Sequence, residues 1–168
     1  RTLFKNNPHP HAYDGFEPSG VAPIHFGLLR ATNLKNMLKA GVKFTLFLAD
    51  YHGFINNKFG GDLEKIQTAG KYFIEVWKAC GVDIKKVKII WASDILNDRN
   101  YWKKVLDVGK KISLARTKRA ITIMGRQQGE TISLAQLFYP PMQVADIFHL
   151  GIDICQLGMD QRRAHVIA

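Results

Sequence analysis

With 168 residues, 46% of them hydrophobic and 23% charged, the chain is long enough for one packed domain and too apolar for a disordered tail. Its apolar runs stop well short of the ~20 residues a membrane-spanning helix needs, so no membrane partner is expected. The formal net charge of +10 suits a polyanionic partner such as nucleic acid, and equally suits a generic basic surface.

Segment 1–15, RTLFKNNPHPHAYDG, has no apolar signal core and no initiator Met, which reads as a fragment of a cytoplasmic protein. The first expected strand is 12–16 (AYDGF), ending in the turn Glu17-Pro18-Ser19-Gly20. A helix should follow, with Leu28, Ala31, Leu34 and Leu38 at three- and four-residue steps and Gly41 as its stop. Run 43–49 (KFTLFLA) reads as a buried strand that delivers Asp50 and His52 at its carboxyl end. Asp62 opens a long helix carrying Leu63, Ile66, Phe73, Val76, Trp77 and Cys80 on one side, stopped by Gly81. Run 87–91 is the next strand, followed by Ser93-Asp94. Strands alternating with helices of this length predict βαβ units and a parallel sheet.

From Tyr101 the alternation stops. Tyr101, Val105, Val108, Ile112 and Ala115 form a helical stripe, read as a helical insertion over roughly 101–130 within a single domain spanning 1–168. Lys103, Lys104, Lys110, Lys111, Arg116, Lys118, Arg119 and Arg126 crowd into this segment, and Arg162-Arg163 come later, a distribution that leans toward nucleic acid. Run 124–131 is a Gly- and Gln-rich loop. A helix from Ser133, a strand over 151–155 and a helix from Asp160 complete the chain.

Tyr139, Gln143 and Asp146 fall at i, i+4 and i+7, on one helix face. A phenol, an amide and a carboxylate together in a core would each cost about 1–3 kcal/mol if left without a partner, so a polar ligand is the economical occupant. Open parallel sheets bind ligands at the carboxyl ends of their strands. Tyr13 with the 17–20 turn, Asp50 with His52, Ser93-Asp94 and Asp160-Gln161 all fall there, although any one could be an ordinary polar loop. The turn from Glu17 to Gly27 suits phosphate at a helix start, without the dinucleotide or P-loop spacing. His25 fits a phosphate contact or a solvated loop. The six His and two Cys lack zinc-type pairing, with His9 and His11 forming only a terminal His-Pro-His. Cys80 and Cys155 sit in apolar surroundings and are expected to be reduced. No GxSxG elbow is present.

Asp14-Gly-Phe-Glu-Pro-Ser-Gly20, Leu48-Ala-Asp-Tyr-His52, Tyr139-Pro-Pro-Met-Gln-Val-Ala-Asp146 and Gly158-Met-Asp-Gln161 together resemble tyrosyl-tRNA synthetase of the archaeal and eukaryotic cytoplasmic type. The resemblance runs over nearly the whole chain. It implies a class I synthetase catalytic domain: a Rossmann-like parallel sheet flanked by helices, with a helical connective insertion. The implied reaction activates L-tyrosine with ATP, Mg2+ accompanying the nucleotide, and passes it to tyrosine tRNA. By matching position, Tyr13 and Asp146 would hold the phenol hydroxyl. Tyr139, Gln143 and Gln161, with His52 nearby, would bind the rest of the amino acid. Gly158 and Asp160 would meet the ATP ribose, and Gly15, Glu17 and Gly27 the phosphates. A homodimer joined through the insertion is also implied, as are a KMSKS loop and an anticodon-binding domain beyond Ala168. The chain departs from the HIGH signature. Without gaps Pro23 replaces its first His, and with a two-residue insertion His25-Phe-Gly-Leu28 keeps one His of two. A module that keeps tyrosine or RNA binding without ATP chemistry, or a generic nucleotide-binding domain, are the other readings.

Overall fold

The three apolar runs expected as strands are parallel strands β1 (His11–Phe16), β2 (Lys43–Leu48) and β3 (Val87–Trp91). With β4 (Ile154–Cys155) they form one parallel sheet in the order β3-β2-β1-β4. The computed structural model describes residues 2–125 and 131–168. Arg126 and most of the expected 124–131 loop therefore lie outside the described residues, as does the end of the expected insertion. The chain forms two compact units, Arg1–Ala92 with Ile152–Gln156, and Ser93–Gly151 with Leu157–Ala168.

The first unit holds the sheet, together with α1 (Thr2–Asn6), α2 (Ala31–Lys39), α3 (Asp50–Ile55) and α4 (Leu63–Ala79). Strand register pairs Ala12 with Phe44 and Phe44 with Val87, so alternation gathers these residues with Leu46 on one face. There they pack against Ala31 and Leu34 of α2 and Phe73 and Trp77 of α4. Asp62 caps α4 by accepting from the Lys65 amide at 3.1 Å. Gly70 lets α4 lie against β3, since a Cβ there would stand 2.5 Å from Trp91 Cη2. The opposite sheet face carries His11, Tyr13, Thr45 and Phe47, with His11 Nε2 and Thr45 Oγ1 hydrogen-bonded at 2.7 Å.

Two expectations for this unit need correction. Leu28 does not extend the α2 stripe. It lies exposed in a π-helical turn, Phe26–Arg30, that precedes α2. Asp50 and His52 follow the end of β2 as expected, in the first turn of α3. The expected strand over 151–155 contracts to Ile154–Cys155: Gly151 turns at φ 62°. Asp153 anchors that short strand, its amide donating to the His11 carbonyl at 2.8 Å and its carboxylate accepting from the His11 amide at 2.8 Å.

After α5 (Ala92–Ile95), the second unit comprises α6 (Arg99–Lys111), α7 (Leu114–Ala120), α8 (Leu134–Leu137), α9 (Tyr139–His149) and α10 (Arg162–Ile167). The expected stripe from Tyr101 to Ala115 breaks at Ile112, which is extended (φ −116°, ψ 140°). Ser113 then caps a new helix by accepting from the Arg116 amide, which leaves Ala115 exposed. Ser133 and Gln136 close a capping box on α8, and Pro140 and Pro141 occupy the first turn of α9, where a missing N–H costs nothing. The expected helix from Asp160 begins at Arg162, after a single 3-10 turn, Met159–Gln161. No helix among the described residues is long and apolar enough to cross a membrane.

Candidate functional site

In the first unit the strand order reverses at β1, which has β2 on one side and β4 on the other. Ligands of open α/β sheets lie outside the strand ends at such a reversal. Tyr13 of β1 is 1% exposed, its ring edge-on to Phe47 with centroids 6.4 Å apart. Gly15, two residues on, makes room for that ring, since a Cβ there would lie 3.0 Å from Tyr13 Cε2. His52 is buried in α3, edge-on to the same Phe47. Asp50 accepts from the Tyr51 amide and from Gln67 Nε2.

Beyond β1, the Glu17 carboxylate accepts from Asn56 Nδ2 at 3.0 and 3.2 Å and lies 3.6 Å from Lys58 Nζ. His25 is exposed at the head of the π-helical turn. Gly27 is buried, and a Cβ there would meet Cys80 Sγ at 2.8 Å. Its small size thus serves close packing of the turn on the end of α4.

Sequence reasoning misses a buried cluster on this unit. Asp14 is fully buried; its Oδ1 accepts from Arg30 Nη1 at 2.6 Å and its Oδ2 from Gln156 Nε2 at 3.0 Å. Burial pushes the Asp14 carboxyl up to about 7, although Arg30 and Gln156 pull it down. The available signal is an acid inside an otherwise apolar strand with an arginine in the next helix. Burial also pushes the Cys155 thiol up to about 11, and both cysteines are free thiols.

In the second unit α9 presents the expected face. Tyr139, Gln143 and Asp146 are 6%, 8% and 2% exposed. Gln143 Nε2 donates to Gln161 Oε1 at 2.9 Å, and Gln161 Nε2 donates to the Ile123 carbonyl at 2.8 Å and to Asp160 Oδ2 at 2.6 Å. Gln143 Oε1 is buried with no hydrogen-bond partner among the described residues. Gly158 leaves room for the exposed Asp160 carboxylate, whose Oδ1 would lie 2.2 Å from a Cβ there and would have to turn aside. Asp146 Oδ1 accepts from the Tyr101 hydroxyl at 2.9 Å. Tyr101 reads in the sequence as part of an apolar stripe. The available signal is that a buried Tyr needs a partner for its O–H.

The same unit has a cleft of about 690 Å³ walled by Arg116, Arg119, Arg162 and Arg163, with Thr122 and Asp160. Arg163 donates to Thr122 Oγ1 and to the Arg119 carbonyl. Among the described residues no group of three or more His, Cys, Asp or Glu is placed to hold a metal ion. The arrangement offers hydrogen-bonding recognition of a polar ligand and positive charge for an anion.

A model of the family described as "tRNA synthetases class I (W and Y)" matches residues 5–168. The chain is 45% identical to tyrosine–tRNA ligase 1, cytoplasmic, of Arabidopsis thaliana, over all of this chain and 44% of that protein. Among solved structures, the tyrosyl-tRNA synthetase of Pyrococcus horikoshii complexed with L-tyrosine superimposes with a TM-score of 0.91 at 46% identity, covering 99% of this chain and 46% of that one. The Leishmania major tyrosyl-tRNA synthetase in complex with tyrosinol gives a TM-score of 0.93 at 45% identity, covering 99% and 25%. The chain thus spans less than half the length of each of these relatives. Buried sheet, reversed strand order and the Tyr139–Asp146 helix face agree with the match, and the chain belongs to the class I tRNA synthetases of the tryptophan and tyrosine branch.

Proposed function

We propose that this chain is catalytic-domain sequence of a cytoplasmic tyrosine–tRNA ligase, which activates L-tyrosine with ATP to tyrosyl-adenylate and transfers it to tyrosine tRNA in protein biosynthesis. The observation that carries this reading is on α9: a buried amide oxygen, Gln143 Oε1, has no partner among the described residues one turn from the buried Asp146 carboxylate. A ligand's ammonium group satisfies Gln143 Oε1, and a hydroxyl at its other end adds a donor to Asp146. Gln143, held by Gln161, and Tyr139 take the ammonium and carboxylate end, and Asp146 takes the phenol. Tyr13 and His52 are assigned to the same substrate on the resemblance alone. A site built this way rejects phenylalanine by about 10⁴–10⁵, because its polar groups would be left unpaired. Gly158 and Asp160 are assigned to the ATP ribose, and Gly15, Glu17, His25 and Gly27 to the phosphates, with Mg2+ arriving on the nucleotide. The tyrosine carboxylate attacks the α-phosphorus in line, so the residues supply position and charge rather than a nucleophile.

The arginine cleft supports a tRNA partner. A homodimer joined through the helical insertion of roughly 101–130 is supported by an apolar groove of about 390 Å³ lined by Leu106, Leu114, Leu134 and Phe138, each well exposed. A second reading, a tyrosine- or RNA-binding module without ATP chemistry, is favoured by Pro23 in place of the signature histidine and by the exposed position of His25. Tyrosine-dependent ATP–pyrophosphate exchange by the full-length protein separates the two. Exchange is expected. Its absence with tyrosine still bound selects the module. Asp146→Ala should weaken tyrosine binding far more than phenylalanine binding; equal losses in calorimetry would refute the assignment.

A further inference from the structure

We infer that Tyr101 is a positioning residue for amino-acid selection: its hydroxyl, donating to Asp146 Oδ1 at 2.9 Å, sets the orientation in which the Asp146 carboxylate receives the substrate phenol. The inference rests on the assignment of Asp146 to the phenol, and names a residue that this assignment does not include.

A carboxylate turns about a broad, roughly two-fold torsion, so one fixed donor selects its plane. Its two oxygens offer about four acceptor sites, so the Tyr101 donor on Oδ1 is compatible with a further donor from a ligand. Tyr101 itself is fixed. It is 0% exposed in the first turn of α6, where Asp98 caps the helix by accepting from the Asn100 amide at 2.8 Å. Its ring stands edge-on to His149, in the last turn of α9, with centroids 5.4 Å apart at 84°. His149 Nε2 in turn lies 3.6 Å from Asp98 Oδ2. The α6 cap and the α9 terminus therefore hold the ring from which the hydroxyl reaches Asp146. Burial first, and the Asp146 carboxylate second, push the Tyr101 phenol well above the ordinary tyrosine range, which keeps its proton for donation. Packing alone would be served by phenylalanine, whereas a hydroxyl in this place needs an acceptor and finds the Asp146 carboxylate, itself assigned to the substrate phenol.

The test uses Tyr101→Phe in the full-length protein, a near-isosteric loss of one oxygen, with thermal unfolding as the check on folding. In ATP–pyrophosphate exchange the KM for tyrosine should rise about tenfold while kcat stays within about twofold, the size expected from one charge-assisted hydrogen bond. Calorimetry should show the same loss for tyrosine and none for phenylalanine. In an Asp146→Ala background, Tyr101→Phe should change tyrosine binding no further. The inference is overturned if wild type selects tyrosine, Asp146→Ala abolishes the selection, and Tyr101→Phe either matches wild type or weakens both ligands equally. If Asp146→Ala weakens tyrosine and phenylalanine alike, the assignment of Asp146 fails first, and this inference with it.

Discussion

At neutral pH the Asp14 carboxyl stands near the midpoint of its titration, because full burial outweighs the Arg30 and Gln156 contacts. Unfolded, an aspartate titrates near pH 3.9. Between about 4 and 7 the folded chain keeps a proton that the unfolded chain has lost, so stability falls as pH rises through that window and levels off above it. The loss is on the order of a few kcal/mol. Asp14→Asn should remove this slope, so that urea unfolding at pH 5 and pH 8 differs less for the variant than for wild type. An unchanged difference would show that other groups set the slope. Neither Asp14 nor Tyr101 is legible in the sequence as a special residue. Each sits at an apolar-periodic position, and only its partner from a distant segment gives it meaning. Tyr139, Gln143 and Asp146 are legible because helical spacing alone places them on one face. Gly27 is legible as part of a strand-to-helix turn, whereas its close packing against Cys80 Sγ is not.

Helix α4 depends on one missing side chain. A Cβ at Gly70 would stand 2.5 Å from Trp91 Cη2 and 3.3 Å from Pro18 Cγ, so helix, strand and turn meet there. Gly70→Ala gains up to about 1 kcal/mol of helix propensity and should still destabilise the fold by about 1–3 kcal/mol through overpacking. A denaturant midpoint equal to or above wild type would mean that the Trp91 ring moves aside cheaply. Strands β1 to β3 are legible in the sequence to within a residue because each is a short apolar run between turn signals. The short helices α3 and α5 are not legible, since sequences such as DYHGFI and ASDI span too few turns to show a period. The break at Ile112 escapes a reading of apolar spacing because the Ser113 cap, and not a change of pattern, ends α6. The expected strand over 151–155 contracts because Gly151 turns at φ 62°, and only Ile154 and Cys155 pair with β1.

Across the molecule, composition already indicates a basic protein, and the structure shows where four of the arginines gather. If that cleft receives tRNA phosphates, Arg116→Glu combined with Arg119→Glu should weaken tRNA binding by tenfold or more and reduce the slope of log affinity against log salt by about 2. Unchanged affinity and slope across a salt series would place the RNA elsewhere. The parallel sheet follows from the alternation of elements, but its order does not, since a short last strand leaves little trace in local pattern. That order has a kinetic consequence. Strand β1 has β2 as an early neighbour, while its other edge is completed only by residues such as Asp153, 142 positions after His11. During synthesis the His11 and Tyr13 carbonyls, which finally accept from the Asp153 and Gln156 amides, must wait until those residues emerge. The nascent protein should thus be aggregation-prone and in need of chaperones until residues 152–156 appear, and ribosome-stalled chains ending before Ile154 should remain sensitive to protease.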